Sequence, residues 1–108
     1  MVLPGKETFP FQVAVELKVA RVGYDRSELV DPIEEQLWKK YLYPEKCHYG
    51  IYIVLWFKDN ERYKGPERFQ SIEELLKEVE DRCKTVASAQ RVSITPYVID
   101  LTTAYRKH

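Results

Sequence analysis

The sequence predicts one α/β domain built on a three-stranded, mainly parallel or mixed sheet, in the order strand, helix, strand, helix, strand. Three observations predict it. Residues 9–19 alternate between apolar and polar side chains with period two, the mark of a strand with one buried face. Residues 48–57, HYGIYIVLWF, are almost continuously apolar and rich in β-branched and aromatic types, as in a strand covered on both faces. Each interval between strand segments holds one stretch of helical periodicity behind a capping signature. One helix per crossover favours parallel strands with right-handed connections.

The elements follow in order. In the first strand Phe9, Phe11, Val13, Val15, Leu17 and Val19 share one face, which is expected in the core. Gln12, Ala14, Glu16, Lys18 and Ala20 share the other, which is expected to meet solvent. Residues 21–29 are polar, contain Gly23 and Asp25, and read as a loop. Asp31-Pro32-Ile33-Glu34 reads as a helix start, with Asp31 as cap, Pro32 in the first turn and Glu34 as the returning acid. That helix runs to about Tyr43, where Pro44 stops it, with Ile33, Leu37, Trp38, Tyr41 and Leu42 on its apolar side. Residues 58–68 form a charged loop. Ser71-Ile72-Glu73-Glu74 is a second capping box, followed by Leu75, Leu76, Val79, Cys83 and Val86 at helical spacing. Residues 92–101 form the last strand, and Pro96 assigns it to an edge or a bulge. Residues 102–108 are a tail.

Composition narrows the function. A chain of 108 residues supports one core rather than two. Its 31% charged and 44% hydrophobic residues fit a globular domain rather than a disordered one. Lys plus Arg and Asp plus Glu both total 17, so no global positive field draws in nucleic acid, and any such contact needs a local patch. Cys47 and Cys83 lie far apart and outside any C-x-x-C pair. Free thiols in a reducing, cytoplasmic setting are the expectation. Neighbouring Cys47 and His48 point apart on a strand, which disfavours a shared metal. The stretch MVLPGKETFPF has no long apolar run and no cleavage-like small residues, so it is not expected to act as a signal peptide; the longest apolar run, residues 51–57, is too short to cross a bilayer, so no membrane partner is expected.

The candidate chemistry is Glu16-x-Lys18. Two apart on a strand, these side chains project from one face about 7 Å apart along the chain. A carboxylate there can hold Mg²⁺, and a neighbouring ammonium can orient a metal-bound water or stabilise charge building on a phosphate. The same pattern also describes an ordinary solvated ion pair, because E-x-K is a short motif. His48, at the start of a buried strand, reads as a structural hydrogen bonder, and Trp38, Tyr49, Tyr52 and Trp56 read as core. Lys58, Arg62, Lys64 and Arg68 interleave with Asp59, Glu61 and Glu67, a solvated loop. There is no Gly-rich phosphate loop, nucleophile elbow or dinucleotide fingerprint.

The ordered combination of Val15-Glu16-Leu17-Lys18, the helix EEQLWKKYL from Glu34 to Leu42, and the strand HYGIYIVLWF resembles the PD-(D/E)XK, or restriction-endonuclease-like, nuclease superfamily over residues 11–101. The resemblance implies a truncated restriction-endonuclease-like core. It implies Glu16 as a Mg²⁺ ligand, Lys18 as the catalytic lysine and Gln36 as the polar helix residue that supports them. Tyr41 would lie near Gln36, one residue further on than in the family's four-residue spacing. The substrate would be nucleic acid, DNA favoured over RNA. One departure stands out. The family carries an essential Asp on the strand before E-x-K, and here Glu7 is the only acid ahead of it. The chain is then a C-terminal piece of a longer nuclease-like protein, a reduced and inactive descendant, or one in which Glu7 or a partner chain supplies the acid. Two readings follow: a Mg²⁺-dependent nuclease cutting DNA or RNA, or a non-catalytic nuclease-derived module for binding or assembly. A truncated sheet leaves an edge and apolar surface open, so a homodimer sharing strands near residues 9–19 is expected.

Overall fold

The computed structural model describes residues 12–20, 25–57 and 68–101. Strand β1 (Val13–Ala20), helix α1 (Arg26–Val30), helix π1 (Ile33–Leu42), strand β2 (Tyr49–Trp56), helix α2 (Ile72–Gln90) and strand β3 (Ser93–Asp100) follow one another. The three strands form one parallel sheet in the order β1-β2-β3, with Val13 opposite Tyr49 and Tyr49 opposite Ser93. The parallel α/β expectation therefore holds, with HYGIYIVLWF at the centre and the Pro96 strand at an edge.

The faces of the sheet are the reverse of the expectation. Tyr52, Val54 and Trp56 of β2 and Ala20 of β1 are buried beneath the helices. The same parity puts Ala14, Glu16 and Lys18 on the helix-covered side. The apolar row of β1 faces outward instead: Val15 is 54% exposed and Leu17 51%. On β3, Tyr97 and Ile99 are exposed on that same outer side. Connection chirality accounts for this. A chain that steps β1, β2, β3 in one direction through crossovers of one hand lays every helix on one face. Covering the second face takes a reversal of direction, and the described chain makes none. The central strand therefore has one face packed beneath helices, and Ile51, Ile53 and Leu55 on its other face are only partly buried.

The core lies between the sheet and the helices. Leu75, Val79, Cys83 and Val86 of α2 and Ile33, Leu37 and Leu42 of π1 close over Tyr52, Val54 and Trp56. Gly50 lets π1 approach β2, because a Cβ there would stand 3.2 Å from both Leu37 Cδ2 and Leu42 Cδ1. The cap of α2 is Ser71, whose hydroxyl accepts the Glu74 N–H at 3.2 Å. The Glu74 carboxylate returns to the Gln70 N–H at 2.7 Å rather than to Ser71. That bond, together with Arg26, holds the Glu74 carboxyl below its ordinary pKa. Arg26 stacks 4.5 Å over the buried Phe69 ring and pairs with Glu74 and Glu78, tying α1 to α2.

Two local expectations are corrected. Part of the segment read as a loop is helical, because Asp25 is the cap that prevails. Its carboxylate accepts the Glu28 N–H at 3.0 Å while Glu28 accepts the Asp25 N–H at 2.9 Å, a complete capping box. The Glu28 N–H, and after it the Ser27 hydroxyl, hold the Asp25 carboxyl below its usual pKa. Asp31, expected to cap, closes α1 instead with helical φ and ψ. The second correction concerns π1, whose backbone bonds run i→i+5, as in Tyr43 N–H to the Trp38 carbonyl at 2.8 Å. Pro32 stands immediately before it and supplies no N–H to the preceding turn. The wider helix changes which residues face inward. Ile33, Leu37 and Leu42 are buried, and Tyr41, expected on the apolar side, is 45% exposed.

Glu7, Phe9, Phe11, the charged stretch 58–67 and the tail 102–108 lie outside the described residues. Among the described residues no helix is long and apolar enough to cross a membrane.

Candidate functional site

Glu16 and Lys18 project from the same side of β1, as strand parity requires. Lys18 Nζ lies 3.2 Å from Glu16 Oε2, and the side chains are 23% and 12% exposed. The pair is an ion pair sunk beneath the helices rather than one on a solvated face. Glu16 sits in register with Tyr52 of β2. Burial, and after it the negative charge of Glu16, push the Tyr52 phenol well above its ordinary pKa. The Tyr52 hydroxyl donates to the Leu29 carbonyl at 2.6 Å, so it remains protonated and anchors the end of α1 to the central strand.

Lys18 opens into a cleft of about 360 Å³ lined also by Ser27, Glu28, Asp31, Glu35 and Gln36. The cleft lies between the later residues of β1 and the α1–π1 arm, towards the carboxyl end of that strand. Lys18 and Gln36, expected in one site, do line one cleft. In a helix of i→i+5 bonds, residues five apart take the stacked relation that residues four apart have in an α-helix. Gln36 and Tyr41 therefore lie along one strip of π1. Tyr41 is not among the residues lining the cleft.

The acids of the cleft do not converge. Asp31 pairs with Arg82 at 3.2 Å and Glu35 with Lys39 at 3.4 Å. Glu28 serves the Asp25 cap, and Glu16 is held by Lys18. Among the described residues no group of three His, Cys, Asp or Glu side chains is placed to hold a metal ion. Mg²⁺ takes near-octahedral oxygen ligands, keeping several waters beside one or two carboxylates. Each described acid of the cleft is engaged in a pair or cap of its own.

A second concavity of about 590 Å³ lies at the other end of the strands, between Trp38, Tyr43, Lys46, His48 and Gln90. Cys47 beside it is buried, and its thiol donates to the Gln12 carbonyl at 3.0 Å. Its neighbour His48 is exposed. Ser27 and Glu28 were missed as lining residues because residues 21–29 read as a loop, Asp31 because it read only as a cap, and Glu35 because nothing in the helix pattern set it apart. The signal was present as Asp25-x-x-Glu28, the same capping pattern that was read at Asp31.

No family model, curated protein or solved structure matches this chain. The functional reading therefore rests on the motif resemblance and on the geometry of the chain's own residues.

Proposed function

We propose that this chain is a nuclease-like domain of the PD-(D/E)XK type. It keeps the reactive pair Glu16 and Lys18 and the supporting Gln36, and its described residues lack a metal cage. The observation that carries the reading is that Lys18, paired with Glu16, and Gln36 line one cleft near the carboxyl end of a parallel strand. In this reading Lys18 is the group that meets a phosphate, Gln36 orients it, and Glu16 fixes the ammonium. Phosphodiester hydrolysis of DNA or RNA requires a further carboxylate beside Glu16. Without it the domain binds or assembles rather than cuts, which is the second reading, and the divergent cleft acids favour it. Three acids, Glu28, Asp31 and Glu35, line the cleft beside Lys18 and repel phosphate, so nucleic-acid contact here is weak unless a cation intervenes.

The test is incubation of the chain with linear DNA and with single-stranded RNA, in Mg²⁺ or Mn²⁺, beside Glu16→Gln and Lys18→Ala. The expected result is no cleavage above the level of the Glu16→Gln variant. Cleavage by the parent that both substitutions abolish would establish the nuclease and contradict the non-cleaving state. Equal cleavage by all three proteins would assign the activity to a contaminant.

A further inference from the structure

The sheet face opposite the helices is a continuous apolar surface. Register places four rows across it, from Val13, Tyr49 and Ser93 at one end to Val19, Leu55 and Ile99 at the other. No charged side chain falls on it. Parallel sheets are covered on both faces almost without exception, because their strands lose too much when apolar rows stay wet. Among the described residues no helix lies over this one.

We propose that this face docks a second copy of the same chain, sheet to sheet, about a twofold axis in the interface. The shape of the face supports the choice of partner. At the amino ends of the strands it has a shallow depression of about 390 Å³, lined by Val13, Tyr49, Ile51, Ser93 and Thr95. Leu17 and Tyr97, nearer the carboxyl ends, are about half exposed, as is Tyr49 at the amino end. A twofold axis perpendicular to the strands lays Leu17 and Tyr97 of each copy over the depression of the other. One patch then serves both copies, as a twofold interface requires.

The area fits a pair as well. Three eight-residue strands make a face of roughly 14 by 26 Å. With overhanging side chains that is on the order of 500 Å² per copy, so two copies bury about 1,000 Å², the lower bound for a specific interface. Packed sheets align within about 30° at about 10 Å separation, so the two faces cover each other fully. A single helix about 10 Å across leaves an outer strand bare. Absence of charge leaves nothing to steer an acidic or basic partner. The resulting assembly has four layers, helices outermost. It is a face-to-face dimer and shares no strand across an edge.

The test is sedimentation equilibrium of the full chain from low micromolar to several hundred micromolar, beside Leu17→Lys, Tyr97→Ser and the helix-surface control Glu73→Lys. Parent and control should dimerise. Leu17→Lys should raise the dimer Kd by at least about 100-fold, because each dimer would bury two unpaired ammonium groups. Tyr97→Ser should raise it less, with the helical far-UV signal retained in both. A parent that stays monomeric throughout overturns the proposal and assigns the face to another segment or partner. Dimerisation unchanged in folded Leu17→Lys and Tyr97→Ser overturns it in favour of edge pairing. Should both variants unfold, the parent itself decides. Nitration of Tyr97, followed by peptide mapping, should slow as the dimer forms, and a rate independent of concentration overturns the proposal.

Discussion

Breaking the Glu16–Lys18 pair should cost more than removing it. The two charges stand 3.2 Å apart with side chains 12% and 23% exposed. At that distance Coulomb attraction is about 1 kcal/mol in water and about 5 kcal/mol at an effective dielectric of 20. A partly buried pair lies between these limits. Lys18→Met leaves a carboxylate under the helices with no counter-charge, and we expect about 2–3 kcal/mol of destabilisation, below the range for fully buried pairs because some solvent reaches it. Glu16→Gln keeps the shape and leaves the more exposed ammonium, at a cost of about 1 kcal/mol. The double variant should lose only about 1–2 kcal/mol, less than Lys18→Met alone and less than the sum of the single losses by about 2 kcal/mol. Urea unfolding of the four proteins at neutral pH and low salt, with unchanged m, measures the cycle. Single losses that add to within about 0.5 kcal/mol would refute the paired arrangement, and with it the claim that Glu16 holds Lys18 in place.

Other expectations follow from the packing around the site. Tyr52→Phe removes the 2.6 Å bond to the Leu29 carbonyl and should cost about 1–2 kcal/mol, measured by denaturant unfolding. Gly50→Val adds methyl groups where a Cβ already stands 3.2 Å from Leu37 and Leu42, so it should cost about 1–3 kcal/mol, whereas Gly50→Ala should cost less because the leucine ends can shift. Burial, and after it Glu80, push the Cys83 thiol up from 9.0 to about 12, so the folded chain keeps a proton that the unfolded chain releases. This group leaves stability flat below pH 8 and lowers it as pH rises from about 9 towards 12, by roughly 1.4 kcal/mol at pH 10. Thermal melts from pH 7 to 10 should therefore fall more steeply for the parent than for Cys83→Ala.

Strand positions, their parallel order and the central place of HYGIYIVLWF were legible, because period two and β-branched runs report strand formation directly. Which side of β1 faces the helices was not. Period two states that two faces differ, and the chirality of the connections decides which is covered. The reading put the apolar row inward by default, whereas the one-directional winding left Val15 and Leu17 outside and drew Glu16 and Lys18 under the helices. The start of the first helix was misplaced because Asp25 and Asp31 both begin an acid-capped pattern, and local signals do not rank them. The wide turn of π1 was hidden because α-helical spacing had been assumed throughout. The buried series Ile33, Leu37, Leu42, four apart and then five, was its trace. Lys18 and Gln36 line one cleft, but it was the resemblance, and not helix and strand positions, that brought Gln36 into the expected site.

The central claim is that Glu16, Lys18 and Gln36 share one site in which Glu16 serves the lysine rather than a metal cage. Paramagnetic broadening by Mn²⁺ tests it most directly, in a ¹⁵N-labelled sample titrated to millimolar metal, with Mg²⁺ as competitor. The account predicts weak broadening spread over the acidic surfaces of α1, π1 and α2, with no saturable centre at β1. Saturable broadening at submillimolar Mn²⁺, centred on Glu16 and the Gln36 carboxamide and relieved by Mg²⁺ and by Glu16→Gln, would contradict it.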